Sequence, residues 1–186
     1  MSDIIKHTIQ VLKENKTILY PTDTVWGLGC DATSEKAVKK IYELKNRSES
    51  KSLVILVSSI NMLKKYVSVP QKAIELLKKV TKPTTIIYSK PKGIAQNAIS
   101  KGDNTVAIRI VRNDFCRKLI KRFGKPIVST SANISEEATP NSFLEISEII
   151  KSSVDYIVEI EEKSKNTKPS TILKIMEEGS IKTLRA

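Results

Sequence analysis

Four groups of residues in this chain have types and spacings suited to binding an anion. The first is Pro21-Thr22-Asp23-Thr24-Val25-Trp26-Gly27-Leu28-Gly29, directly after the apolar run Thr17-Ile18-Leu19-Tyr20. Pro21 cannot donate a ladder hydrogen bond, so the chain turns there. Two threonine hydroxyls and a carboxylate follow, and Gly27 and Gly29 are expected to open φ > 0 space and let backbone approach a ligand. The second group is Lys45-Asn46-Arg47, with Lys51 four residues beyond Arg47. On an extended loop these cations converge on one anion, arginine gripping bidentately and lysine acting as a mobile point charge. The same residues also suit a solvated helix C-terminus. The third is Arg109, at the end of Thr105-Val106-Ala107-Ile108, where a planar fork can orient a carboxylate or pair with a structural acid. In the fourth, Ser129, Ser131 and Asn133 alternate along an extended end and share one side. Three small polar groups make a poor packing surface and a good hydrogen-bonding one.

The elements that must position these groups are legible from periodicity. Ile5, Ile9 and Leu12 predict an amphipathic helix behind a Ser2/Asp3 cap. Ser34 caps a second helix carrying Ala37, Val38, Ile41 and Leu44, which delivers Lys45 and Arg47 at its end. Leu53–Val57 reads as a buried strand. Pro70 opens a helix with Ala73, Ile74, Leu77 and Val80 inside. Thr84–Tyr88 and Thr105–Ile110 read as strands. Phe115, Leu119, Ile120 and Phe123 mark a helix ended by Gly124 and followed by Pro126. A strand Ile127–Ser129, a helix Ser142–Ile150 and strands near 156–160 and 170–175 complete the series. Helices interleaved with strands predict an α/β fold, in an order too irregular for a regular doubly wound sheet.

Length and composition bound the chemistry. The 186 residues suit a single domain, taken as 1–186, able to bury its own core. His7 is the only histidine, which excludes a multi-histidine metal centre and a Ser-His-Asp hydrolase. Cys30 and Cys116 match no metal spacing and read as reduced, buried thiols. No apolar run approaches the ~18 residues of a membrane span. The N-terminus lacks a secretory layout, so a cytoplasmic protein is expected. The net charge is +12, and between Lys64 and Lys125 16 basic residues face 3 acidic ones, a field that suits a polyanion such as nucleotide phosphates or RNA. Lysines outnumber arginines 26 to 6, which equally fits a compositional preference for lysine on solvated faces.

Taken in order, the 21–29 motif, Lys45-Asn46-Arg47, Thr105-Val106-Ala107-Ile108-Arg109 and Ser129-Thr130-Ser131-Ala132-Asn133 resemble the YrdC-like family, the threonylcarbamoyl-AMP synthases that start threonylcarbamoyladenosine synthesis in tRNA. The resemblance runs from about residue 10 to the C-terminus. It implies a twisted mixed sheet flanked by helices around a concave basic surface. It further implies synthesis of threonylcarbamoyl-adenylate and pyrophosphate from L-threonine, bicarbonate and ATP with Mg²⁺, without a redox cofactor. The product would pass to downstream threonylcarbamoyl-transfer proteins. By the same resemblance, Thr24, Arg109 and Ser129 contact threonine. Lys45, Arg47, Lys51, Thr105, Ser131, Asn133, Thr139 and Arg185 contact ATP. The longer members' extra C-terminal domain is not expected.

The chain departs from the family pattern at several points. Glu136 follows Ser131-Ala132-Asn133-Ile134-Ser135 where a glycine is usual, so the loop before Thr139 is expected to take another path. Thr81-Lys82-Pro83 replaces a Pro-Gly-Pro, Leu56 stands where some members have a substrate-contacting histidine, and Trp26 replaces another aromatic. A different function class remains open on sequence alone: a non-catalytic RNA-binding module using the basic face. Aromatic content of 5% argues against it, because stacking platforms are scarce. A third reading is a carbamoyl-phosphate-processing fragment, since related domains occur in hydrogenase-maturation proteins. It is disfavoured by the absence of zinc-finger cysteine pairs.

Overall fold

Hydrophobic runs that the sequence marks as buried become neighbouring strands of one sheet. The computed structural model describes residues 1–48, 53–160 and 169–186. Its strands are β1 (Ile18–Tyr20), β2 (Gly27–Gly29), β3 (Val54–Val57), β4 (Thr84–Ser89), β5 (Thr105–Ile110), β6 (Ile127–Ser131), β7 (Tyr156–Ile157), β8 (Thr171–Ile175) and β9 (Ile181–Arg185). They lie in the order β7-β1-β2-β6-β3-β5-β4-β8-β9. The β1–β7, β3–β5 and β4–β8 pairs are parallel and the others antiparallel, so the sheet is mixed as expected.

The helices among the described residues are α1 (Ser2–Lys13), α2 (Glu35–Leu44), α3 (Ile60–Leu63), α4 (Gln71–Lys79), α5 (Asp114–Phe123) and α6 (Glu148–Ser153). Ser34 caps α2 through the Ala37 N–H, Asn113 caps α5 through the Cys116 N–H, and Gly124 ends α5 in the left-handed region. α1, α3 and α5 lie against the sheet. Ile5, Leu12, Ile55, Val57, Ile86, Ile108, Leu119, Ile120 and Val128 are all buried in one core.

Two helix starts differ from expectation. α1 begins at Ser2, with no side-chain cap at Met1, so Asp3 lies inside the first turn and meets the helix dipole there. The helix expected over Ser142–Ile150 divides into a short 3₁₀ turn, Phe143–Glu145, and α6, which Ser147 caps through the Ile150 N–H. Between them Ile146 is extended and 2% exposed, so burying its side chain takes precedence over continuing the helix.

Gly27 and Gly29 are also placed differently. Neither has positive φ; both are strand residues of β2. A Cβ on Gly29 would meet the Tyr20 ring and the Val128 carbonyl oxygen, each at 2.6 Å. Tyr20 is fully buried and its hydroxyl donates to that carbonyl at 3.1 Å. The glycine therefore makes room for a core tyrosine.

Candidate active site

A strand alternates its side chains between two faces, so register decides which residues meet. Here Gly27 pairs with Ser131, Ser129 with Val54, and Val54 with Ala107. Ala107 pairs with Ile87, Arg109 with Leu56 and Thr85, Thr85 with Ile172, and Ile172 with Arg185. Residues 127, 129 and 131 share a side, as do 107 and 109, so all these residues lie on one face across seven adjoining strands. That face floors a groove of about 340 Å³, walled by Thr24, Val25, Arg47, Thr139 and Ser170. Its cations are Arg47, Arg109 and Arg185, and no acidic side chain among the described residues lines it. Of the 16 basic residues between Lys64 and Lys125, Arg109 alone lines the groove.

Arg109 sits at the centre, 5% exposed. Its Nη2 lies 3.1 Å from Asp23 Oδ1, and its Nε has no hydrogen-bond partner in the protein. The loop carrying Asp23 is tied down over this end of the face. Thr22 Oγ1 donates to the Val25 carbonyl at 2.7 Å and accepts from the Thr24 N–H at 3.1 Å. The Cys116 thiol donates to the Pro21 carbonyl. Leu56 is fully buried beside Arg109 and offers no polar contact in place of a histidine. Trp26 packs on Phe143, ring centroids 5.0 Å apart, as core rather than as groove wall.

Thr24, Arg47, Arg109, Ser129, Ser131, Thr139 and Arg185 are thus brought together, while Lys45, Thr105 and Asn133 do not line the groove. Lys51 lies outside the described residues. The expected exposure of Lys45 is overturned, since it is 1% exposed. The chain turns at Asn46 (φ +48), and the Lys45 ammonium donates to the Ser131 and Asn133 carbonyls at 2.5 Å. Burial, with Arg47 adding repulsion, pulls its pKa down to about 8. The Asn133 amide turns into its own loop, donating to the Ile134 and Glu137 carbonyls. Thr105 donates to Asp103, which also pairs with Lys174 at 2.8 Å. Those two contacts hold the Asp103 carboxyl well below the usual range, Lys174 contributing most.

Thr139 reaches the groove although the usual glycine is missing, because Glu136 itself adopts the left-handed conformation at φ +75. Arg185 is not a loose tail charge: it is paired in β9, and its Nε and Nη2 donate to the Ser170 carbonyl at 3.2 and 2.8 Å.

Thr85 and Ser170 are among the groove residues that escaped the sequence reading. Thr85 and Ser170 share a hydrogen bond at 2.8 Å, and Thr85 is Arg109's register partner. Thr84–Tyr88 reads from sequence only as a strand, and the available signal was alternation: Thr85 and Ile87 fall on the side opposite Ile86 and Tyr88.

The chain is similar to known proteins in sequence and in overall fold. The family model for Sua5, YciO and YrdC, described as "Telomere recombination", matches residues 10–186. The chain is 33% identical over 178 residues to the threonylcarbamoyl-AMP synthase of Pseudoalteromonas translucida, covering 92% of this chain and 94% of that protein. P. abyssi Sua5, solved with L-threonine, superposes with a TM-score of 0.84 at 28% identity, covering 97% of this chain and 53% of that one. E. coli YciO shares the fold, with a TM-score of 0.85 at 20% identity over 100% of this chain and 89% of its own.

Proposed function

This chain belongs to the Sua5, YciO and YrdC family, and from that premise we infer that it is a threonylcarbamoyl-AMP synthase, a nucleotidyltransferase of tRNA threonylcarbamoyladenosine modification. It joins L-threonine, bicarbonate and ATP into threonylcarbamoyl-AMP, releasing pyrophosphate and water. The threonine nitrogen gains a carboxyl group from bicarbonate, a carbamate oxygen bonds to the α-phosphorus, and the α–β phosphoanhydride bond breaks.

The observation that carries this reading is the buried guanidinium of Arg109 on the groove floor, with hydroxyls on both sides, Arg47 at the wall and Arg185 farther along the same face. Arg109 takes the threonine carboxylate, a pairing that fixes orientation as well as charge. Thr24 and Ser129 supply hydrogen bonds to the same substrate. Arg47, Arg185, Ser131 and Thr139 face ATP, and Lys51 joins them at the phosphates. Lys45 and Asn133 serve ATP indirectly by shaping the segment after Ser131, and Thr105 acts outside the groove through its bond to Asp103. Arginine suits the phosphate-facing positions because its fork is pre-organised and always charged.

Among the described residues no cluster of three or more His, Cys, Asp or Glu could hold a metal. Mg²⁺ would accompany ATP as part of the substrate and offset the charge of its phosphates. No helix among the described residues is long and apolar enough to cross a membrane. Residues 1–186 work as one domain, and the product passes to proteins that transfer the threonylcarbamoyl group to tRNA.

Pyrophosphate release from ATP is the test. It should require L-threonine and bicarbonate together, with threonylcarbamoyl-AMP as the co-product. Release that ignores either substrate would refute the assignment.

A further inference from the structure

We propose that Asp23 is a positioning residue for the substrate carboxylate: it fixes the Arg109 guanidinium in the plane from which threonine is gripped. The inference rests on the assignment of threonine to Arg109.

Asp23 is 9% exposed and its Oδ1 lies 3.1 Å from Arg109 Nη2, a charge contact outside hydrogen-bond geometry. Its Oδ2 accepts the backbone N–H of Arg112 at 3.0 Å. Arg112 is itself fastened, its guanidinium donating to the Thr81 carbonyl at 3.0 Å and to the Val80 carbonyl. The carboxylate is therefore anchored at one oxygen by backbone and cannot follow Arg109 if the guanidinium swings. Arg109 in turn is held by its Cα in β5, and its guanidinium is drawn by charge toward Asp23. That attraction limits how far the guanidinium can swing from the groove floor.

A purely structural role explains this pair poorly. Buried ion pairs contribute little net stability, because desolvating both charges offsets their attraction. Arg109's register partners, Leu56 and Thr85, are both fully buried and neither carries a charge that calls for a guanidinium. The protein instead keeps a guanidinium there with its Nε unpaired. Asp23 also immediately precedes Thr24, which lines the groove, so one loop sets both the hydroxyl and the guanidinium that meet the substrate. A pre-oriented fork loses less freedom on binding and presents the carboxylate in one attitude.

The test compares Asp23→Asn, Arg109→Gln and the double variant in titrations with L-threonine and with ATP, alongside turnover. Asp23→Asn should weaken threonine binding about tenfold and lower kcat at saturating threonine by a further several-fold, leaving ATP affinity within twofold. In the Arg109→Gln background, Asp23→Asn should change threonine affinity less than twofold, because its effect passes through Arg109. If Asp23→Asn does not fold, Asp23→Glu is read the same way, since one added methylene forces the guanidinium to turn. Tighter threonine binding, unchanged threonine binding, or threonine and ATP lost in parallel would overturn the proposal. If Arg109→Gln itself retains threonine, the assignment of the site fails rather than the role of Asp23.

Discussion

The Lys45 ammonium donates to the Asn133 carbonyl across 88 residues of sequence, from a position only 1% exposed. It donates to the Ser131 carbonyl as well, and the Lys45 carbonyl accepts the Ser135 N–H at 2.9 Å. One residue thus fastens the end of β6 and the loop beyond it to the end of α2. Lys45→Met keeps the stem and removes the ammonium, leaving two carbonyls without their charged donor. It should cost about 2–4 kcal/mol, lowering the melting temperature by roughly 4–16 °C. A thermal melt indistinguishable from wild type would contradict the clamp.

Alkaline stability should carry two opposed contributions. Burial pushes the Cys30 and Cys116 thiols up, aided by Asp31 at the first and Asp23 at the second. In the unfolded chain a thiol ionises near ~8.5, so the thiols' contribution is full below that pH and is lost as pH rises above it. Lys45 acts oppositely. Its folded value of about 8 lies below the unfolded ~10.4, so the unfolded chain binds more protons between the two and stability rises with pH there. Urea unfolding at pH 7.5, 8.5 and 9.5 should show wild type losing stability over the upper interval. A Cys30→Ala/Cys116→Ala variant should instead gain stability, and adding Lys45→Met should abolish the gain. A double-alanine variant that still loses stability with pH would refute this division.

Glu136 stands at φ +75, where most side chains are strained. Glu136→Gly relieves that strain but adds freedom to the unfolded chain. The net should be a gain of up to about 1 kcal/mol, seen as a slightly raised melting temperature with turnover unchanged. A lower melting temperature would show that the glutamate's own contacts outweigh its backbone cost.

The lysine field lies elsewhere than the groove. Lys64, Lys65, Lys90 and Lys92 border a separate hollow of about 860 Å³ with Tyr66 and Tyr88. Any RNA affinity arising there should be phosphate-driven and indifferent to sequence. Replacing the four lysines by glutamine should flatten the salt dependence of RNA binding and leave ATP and threonine affinities within twofold. A hairpin preferred over a scrambled control by more than about tenfold at physiological salt would point to base readout instead.

Much of the site was legible because strand alternation is local. Ser129 and Ser131 can be placed on one face from spacing alone, and Arg109 follows from Val106 and Ile108 pointing the other way. The same rule fails at Asn133, because β6 ends at Ser131 and alternation ends with it. Lys45 was illegible for a different reason: its partners are backbone carbonyls far along the chain, and no side-chain pattern records them. Asp23 could not be assigned from its motif, because its partner Arg109 lies 86 residues away and is met only once β5 is in place. The Gly27-Leu28-Gly29 strand has no β-forming pattern either, and depends on the Tyr20 ring that Gly29 admits.

Paired ligand titrations of Arg109→Gln and Arg47→Ala test the account most directly. Both variants should fold. Arg109→Gln should lose threonine binding by at least tenfold while holding ATP within twofold. Arg47→Ala should lose ATP by roughly ten- to a hundredfold, the scale of a lost charge-assisted contact, while holding threonine. If Arg109→Gln loses ATP and keeps threonine, the groove is divided wrongly and the central claim fails.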